Sequence, residues 1–303
     1  MTVKQTNKIR KNSTADMVYI VITEVILWFM LVIILIPLVY IVSSSFSSPE
    51  AVGNGWVYLW PVDFSLKGYA AVFTTEKVWI GFRNSIFYTV VGTFINIVVT
   101  MLAAYPLSRR DLKGRGVVTV IFTFTMLFSG GMVPSYVINS KYLHLKDSFW
   151  IYVLPCLVSA WNVFVMRTNF RQLPDGLIEA AKIDGASELR ICFQIVLPLC
   201  VPVLATLAFS FFVGQWNSWT TTMIYITSPR LYSLQYLLQK ILAEAEFLKQ
   251  MADQGTINEV TDLVPTDSLT YAMAMVAAGP VLVIFPLFQK YFVRGMTIGS
   301  VKG

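Results

Sequence analysis

Glu179-Ala180-Ala181-Lys182-Ile183-Asp184-Gly185-Ala186, followed by Ile195-Val196-Leu197-Pro198, is the stretch on which the reading of this chain turns. It sits in a polar break between long apolar segments, so it reads as a short structured loop. Pro174 cannot continue a preceding helix, and Asp175 beside it is a good N-cap. From Gly176 to Ile183, the residues Leu177, Ala180 and Ala181, with an edge from Ile178, predict a short amphipathic helix. Glu179 and Lys182 occupy its rim. Gly185 fits the left-handed position beyond the helix end, which glycine enters without a Cβ penalty. Ser187 with Glu188 after it starts a second helix toward Leu197-Pro198. Two small residues in a row, Ala180 and Ala181, offer a low face that another protein's surface can approach closely. The plainer alternative is a helix lying on lipid headgroups.

The apolar segments around this loop fix the class. Of 303 residues, 56% are hydrophobic and 13% are charged, with a mean hydropathy of +0.64. Soluble chains carry roughly 25% charged residues, so this is an integral membrane protein. No low-complexity tract or Gly/Ser/Pro-rich linker divides it, and a single polytopic domain over 1–303 is expected. A helix needs about 20 mainly apolar residues to cross a bilayer. Six stretches qualify: 18–43, 85–107, 117–138, 149–166, 199–219 and 271–293. The first is far longer than a signal-peptide core, so the basic start at Lys4, Lys8, Arg10 and Lys11 leads into an uncleaved span.

Charge gives direction. The N-terminus, the 106–116 loop, the 167–198 loop and the C-terminus hold 15 of the 23 Lys and Arg residues. By the positive-inside rule these four segments face the cytoplasm. The net charge of +6 is then a topology signal, and without a basic–aromatic array it gives no argument for nucleic acid. Two outer segments are long. Residues 44–84 carry Trp56, Trp60 and Trp79, and residues 220–270 include a helix-like stretch near Leu234–Met251 and a polar, acidic run. Cys156, Cys192 and Cys200 have no metal-ligand spacing, and His144 has no ligand-like neighbour. No metal, nucleophilic or paired-carboxylate constellation is present, which argues against a membrane enzyme.

The spacing E-A-A-x3-G-x9-I-x-L-P, with each fixed position filled, resembles the cytoplasmic loop of binding-protein-dependent ABC transporter permeases. Asn84-Ser85, Ala104-Tyr105-Pro106-Leu107-Ser108-Arg109, Ser129-Gly130-Gly131-Met132-Val133-Pro134, Gly214-Gln215-Trp216-Asn217-Ser218-Trp219 and the ending Gly295–Gly303 extend the resemblance to carbohydrate-uptake members of the maltose-permease type. Within the ending, Met296 and Ile298 stand where many members carry other residues.

That resemblance implies an all-α fold with six transmembrane helices, the MetI-like type I importer permease. It also implies oligosaccharide import across a bacterial plasma membrane, with both termini cytoplasmic. The implied partners are a homologous second permease, two ABC ATPase subunits and an extracytoplasmic sugar-binding lipoprotein. ATP and Mg would be used by the ATPases, and consistent with this the chain has no G-x-x-x-x-G-K-[ST] phosphate loop. The resemblance assigns ATPase coupling to the loop 173–198, through Glu179, Ala180, Ala181, Asp184, Gly185, Ala186, Leu197 and Pro198. It assigns ATPase contact to the tail 295–303, through Gly299, Ser300, Val301 and Lys302. In maltose-type permeases an outer loop enters the binding protein, which here points to Asp253, Gln254, Gly255 and Thr256.

Some side chains have two readings. Trp161, Asn162, Gln215, Trp216 and Asn217 combine aromatic faces with amides, as sugar-lining surfaces do, yet Trp also belongs at membrane interfaces and amides bridge helices. Glu24, inside the first span, is a functional candidate or a group that snorkels. Ser129-Gly130-Gly131 and Pro134 allow close helix packing and bending, or a gate. A secondary transporter or channel is the rival class. Such proteins place charges or broken helices at the midplane, and the sequence predicts almost none here.

Overall fold

The computed structural model describes residues 14–253 and 267–300. It is helical, with no strand among the described residues. The long apolar runs form α1 (Thr14–Ser45), α2 (Glu76–Ser108), α3 (Arg115–Leu127) and α4 (Met132–Val137). Next come α5 (Ala160–Phe170), α6 (Asp175–Ile183), α7 (Glu188–Ile191) and α8 (Val201–Trp216). The chain ends with α9 (Leu234–Asp253) and α10 (Asp267–Ser300). Among the described residues, three helices cross-match the expected spans as continuous rods: Asp16–Ser45, Glu76–Ser108 and Asp267–Tyr291. The other three expected spans are bent pairs.

The bends correct the expectation of few broken helices. Arg115–Leu127 and Met132–Tyr142 meet at 113°, Phe149–Cys156 and Ala160–Phe170 at 52°, and Glu188–Leu199 and Val201–Trp216 at 85°. Each break has a local cause. Gly131, at φ 84° and ψ 179°, occupies backbone space essentially reserved for glycine. Ser159 caps α5 by accepting from the Asn162 N–H at 3.4 Å. Cys200 leaves helical geometry between Pro198 and Pro202.

A broken helix frees carbonyls that the bilayer interior cannot hydrate, and they must find donors. Asn96, fully buried near the middle of α2, supplies one. Its Nδ2 donates to the carbonyls of Cys156 (2.8 Å) and Leu157 (3.1 Å), beside the break that precedes α5. Asn84 does the same one segment away, donating to the carbonyls of Arg230 (2.8 Å) and Tyr232 (3.1 Å), while Ser85 Oγ accepts from the Leu234 N–H at 2.8 Å. Gly81 lets α9 come close: a Cβ there would stand 2.7 Å from Leu237 Cδ1.

The chain forms two compact units. The first takes the described residues up to Ala70 and α10 as far as Met275. Nearly every side chain of α1 from Met17 to Leu38 is exposed and almost all are apolar, the surface that lipid covers. At the end of α1 and just beyond it, buried serines lock the chain: Ser43 Oγ donates to the Leu59 carbonyl at 2.7 Å, and Ser47 Oγ accepts from the Val62 N–H at 3.0 Å. The second unit takes Ala71 onward and α10 from Val276. Its main core joins Met101, Ala104 and Tyr105 of α2, Val163 and Met166 of α5, Ile178 and Ala181 of α6, Ile191 of α7 and Leu204 of α8. The loop helix α6 is therefore docked into the same core as the spans.

Candidate functional site

α6 starts at Asp175, with Pro174 in the capping position and no side-chain cap. Asp175 is thus the first helical residue and not the expected N-cap, where its carboxylate still suits the positive end of the helix dipole. The end of α6 follows the expected chemistry. Gly185 has φ +76°. Its N–H donates to the Lys182 carbonyl at 3.0 Å, and the Ala186 N–H donates to the Ala181 carbonyl at 3.0 Å. This pair of bonds is a Schellman closure, which satisfies carbonyls at the end of the helix. Ser187 then accepts from the Arg190 N–H at 3.4 Å and starts α7. A π-helical turn, Cys192–Val196, carries the chain into Leu197–Leu199, where Leu197 is half-buried against the core and Pro198 is exposed.

One part of the sequence reading is corrected. Ala181 does not share the outward face with Ala180. Ala181 and Ile178, one turn apart, point inward and are each 6% exposed. Ala180, Glu179 and Asp184 face outward, together with Leu177 at 45% and Ile183 at 86% exposure. Burying Ile178 anchors the helix by about 1.5–3 kcal/mol. The outward face thus presents Leu177, Ala180 and Ile183 beside the charged Glu179 and Asp184, on a helix anchored through its opposite side.

A ladder of charges joins this loop to the end of α2. Lys182 Nζ lies 2.7 Å from Glu188 Oε1 and 3.6 Å from Asp111 Oδ2. Glu188 Oε2 accepts from the Tyr105 hydroxyl at 2.6 Å. Asp111 Oδ1 is 3.6 Å from Arg109 Nε, and Arg115 donates to the Arg109 carbonyl at 3.0 Å. The hydrogen bond to Glu188 raises the Lys182 ammonium above its ordinary range. Asp111 is lowered, first by its own backbone N–H and further by Arg109 and Lys182. A groove of about 470 Å³ opens beside the ladder, lined by Arg109, Arg110, Asp111, Arg171, Glu179 and Lys182 among others. Composition gave no hint of these partnerships: Lys182 and Glu188 are separated by a glycine turn, and Asp111 lies in a different loop.

The aromatic and amide candidates separate. Trp161 is 64% exposed and lines a cavity of about 430 Å³ with Met126, Phe164, Thr168, Asn169 and Gln172. Asn162 is half-buried beside it. Trp216 is 1% exposed, its indole N–H donates to the Ala277 carbonyl at 2.8 Å, its ring meets Phe82 and Phe212, and with them it lines an apolar cavity of about 570 Å³. Gln215 bridges helices by donating to the Tyr152 carbonyl at 3.1 Å. Asn217 is exposed, and its Oδ1 accepts from Gln235 Nε2 at 3.4 Å. Glu24 is exposed on α1.

Asp147 was missed from sequence. Its carboxylate accepts from the Thr227 and Ser228 N–H groups at 2.6 and 2.9 Å and from the Thr227 hydroxyl, clamping 145–149 to 226–231. Those bonds, the Thr227 hydroxyl first, hold its carboxyl below the usual carboxylate range. Of the binding-protein candidates, Gln254, Gly255 and Thr256 lie outside the described residues, and Asp253 is the last residue of α9, with its side chain outside the description. Of the tail candidates, Val301 and Lys302 also lie outside it, as does the side chain of Ser300. The backbone of Gly299 and Ser300 ends α10.

Residues 6–298 match the family described as the binding-protein-dependent transport system inner membrane component. The Polygalacturonan/rhamnogalacturonan transport system permease protein YtcP of Bacillus subtilis (strain 168) is 37% identical over 295 residues, 97% of this chain and 100% of that one. The Arabinooligosaccharides transport system permease protein AraQ of Halalkalibacterium halodurans is 28% identical, covering 91% of this chain and 94% of its own. Among solved structures, a bacterial ABC transporter involved in the import of the acidic polysaccharide alginate superposes with a TM-score of 0.81 at 30% identity, covering 92% of this chain and 98% of that one.

Proposed function

We propose a division of labour that starts from one premise: the chain belongs to the family of binding-protein-dependent transport system inner membrane components, and is a permease subunit of an ABC importer. In this reading the cargo is an oligosaccharide. The relatives' names include polygalacturonan and alginate carriers, so uronate-bearing oligosaccharides head the candidates. The chain pairs with a homologous permease, and two ABC ATPases bind ATP and Mg and seat on the loop 173–198. An extracytoplasmic binding lipoprotein delivers the sugar. Both termini, the 106–116 loop and the α6 loop face the cytoplasm, as the 15 basic residues of those four segments argue.

The observation that carries the coupling role is the outward face of α6. Leu177, Ala180 and Ile183 leave apolar area uncovered on a helix whose other side is anchored in the core. An exposed apolar patch of this kind, on a helix anchored from behind, is what a partner protein buries. Glu179 and Asp184 at its rim offer charge to basic partner residues. The test is reconstitution in liposomes with the partner permease, ATPases and binding protein. ATP-dependent uptake of oligogalacturonates is the expected result, with arabino-oligosaccharides as the neutral comparison. Absence of ATP-dependent uptake of either sugar would sink this reading.

A further inference from the structure

Lys182 reaches beyond its own helix. Its ammonium touches Glu188 of α7 at 2.7 Å and Asp111 of the loop between α2 and α3 at 3.6 Å. Glu188 in turn holds the Tyr105 hydroxyl, on the last turns of α2, at 2.6 Å. One cation therefore connects the α6 loop to α2, to the loop entering α3, and to the bent segment that leads into α8.

Magnitude decides what such a ladder is for. The side chains of Lys182, Glu188 and Asp111 are 38%, 51% and 65% exposed, and ion pairs so open to water add little to stability. The burial of Ile178 and Ala181 already holds α6 in place. What burial does not supply is direction. Packed aliphatic groups slide over one another at small cost, whereas a short charged contact at 2.7 Å backed by a 2.6 Å hydrogen bond resists being pulled apart along its own axis. Tyr105 is 6% exposed and packs edge-on against Phe170 of α5, so a displacement reaching its hydroxyl is passed to two spans.

Resting on the ABC-permease reading above, we infer that Lys182 is a positioning residue, the strut by which α6 and the inner end of α2 move as one body during the ATP cycle. It touches neither sugar nor nucleotide. Without it, hydrolysis and movement of the spans lose step.

Two measurements on the assembled complex test this. In liposomes, oligogalacturonate imported per ATP hydrolysed should fall about five- to tenfold in Lys182→Met, the size of an ordinary coupling between sites. Lys182→Arg, which keeps a cation within reach of both carboxylates, should restore most of it. A wild-type ratio in Lys182→Met overturns the inference. So does failure of the ATPases to co-purify with that variant, because Lys182 would then be a docking residue.

The second measurement needs no sugar. Nitroxides are placed on cysteines at Gly176 of α6 and Val90 of α2, with the exposed Cys156 replaced by serine. Gly176 has open space around it and Val90 is 55% exposed, so both accept a label. The strut predicts the same inter-label distance in ATP-free and vanadate-trapped complexes, and two different distances once Lys182→Met is introduced. A distance that already changes without that substitution, or stays fixed with it, overturns the inference. A complex that imports no oligogalacturonate bears on the substrate reading and leaves this second measurement to decide the strut.

Discussion

Gly185 and the two alanines show how far single residues carry the argument. Gly185 was legible because a glycine after an amphipathic run has one dominant use, and its φ of +76° is that use. Gly185→Val should cost at least about 1–2 kcal/mol at the loop and abolish uptake, while Gly185→Asn, which tolerates the left-handed region, should keep part of it. Uptake and ATPase co-purification are the measurements. The alanines were half legible. Their small size was read correctly, but a nine-residue helix has too few apolar positions for periodicity to say which alanine faces the core. Ala180→Arg should leave the melting temperature unchanged and block ATPase contact. Ala181→Arg should lower the melting temperature by several degrees, since it drives a guanidinium among Ile178, Met101 and Ile191. Equal melting temperatures for the two variants would reverse the assignment.

Helices and loops carry the features that hydropathy passes over. Averaged over 20 residues, a bent pair and a straight span look alike, so six spans were legible and three bends were not. What marks each bend is a local backbone event, together with a donor far away in sequence. Asn96→Leu tests this: it leaves the Cys156 and Leu157 carbonyls without their side-chain donor, and should destabilise the complex by about 1–3 kcal/mol, read from thermal unfolding in detergent. Asp147 supplies the pH-dependent case. Its folded pKa lies below the ordinary carboxylate value, so the clamp contributes stability above roughly pH 3.9 and loses it as pH falls through the lower folded value. Hydrogen exchange of residues 226–231 should stay slow at pH 5 and quicken only in stronger acid. In Asp147→Asn it should already be fast at pH 7. Slow exchange in that variant would mean the clamp does not hold the segment.

For the whole molecule, class comes from sums over the chain, which sequence reports well: many apolar residues and few charges, while the lopsided distribution of the basic ones predicts an orientation. The orientation can be tested with a membrane-impermeant thiol reagent. A cysteine at Gln254 should label from outside intact cells and one at Lys302 should not; the reverse pattern would turn the whole assignment over. Deleting residues 253–260 should slow sugar delivery without dissolving the complex, and unchanged uptake at saturating binding protein would reduce that loop to a connector. The candidate site was less legible than the class because its contacts are long-range. Tyr105, Asp111, Lys182 and Glu188 come from three separate stretches, and no spacing rule gathers them.

The 113° and 85° bends also constrain how the protein is made. α3 has 13 residues and α8 has 16, which at about 1.5 Å per residue come to roughly 20 and 24 Å, short of the hydrocarbon thickness of about 30 Å. Neither half can settle into lipid alone as it leaves the ribosome. α3 must be sheltered, by the insertion machinery or by α2, until Met132–Tyr142 follows it out of the ribosome, whereas for α8 it is the other half, Glu188–Leu199, that emerges first and must wait. The order in which the segments emerge is therefore itself a condition of correct assembly, and a chain stalled before α5 would be a substrate for membrane quality control.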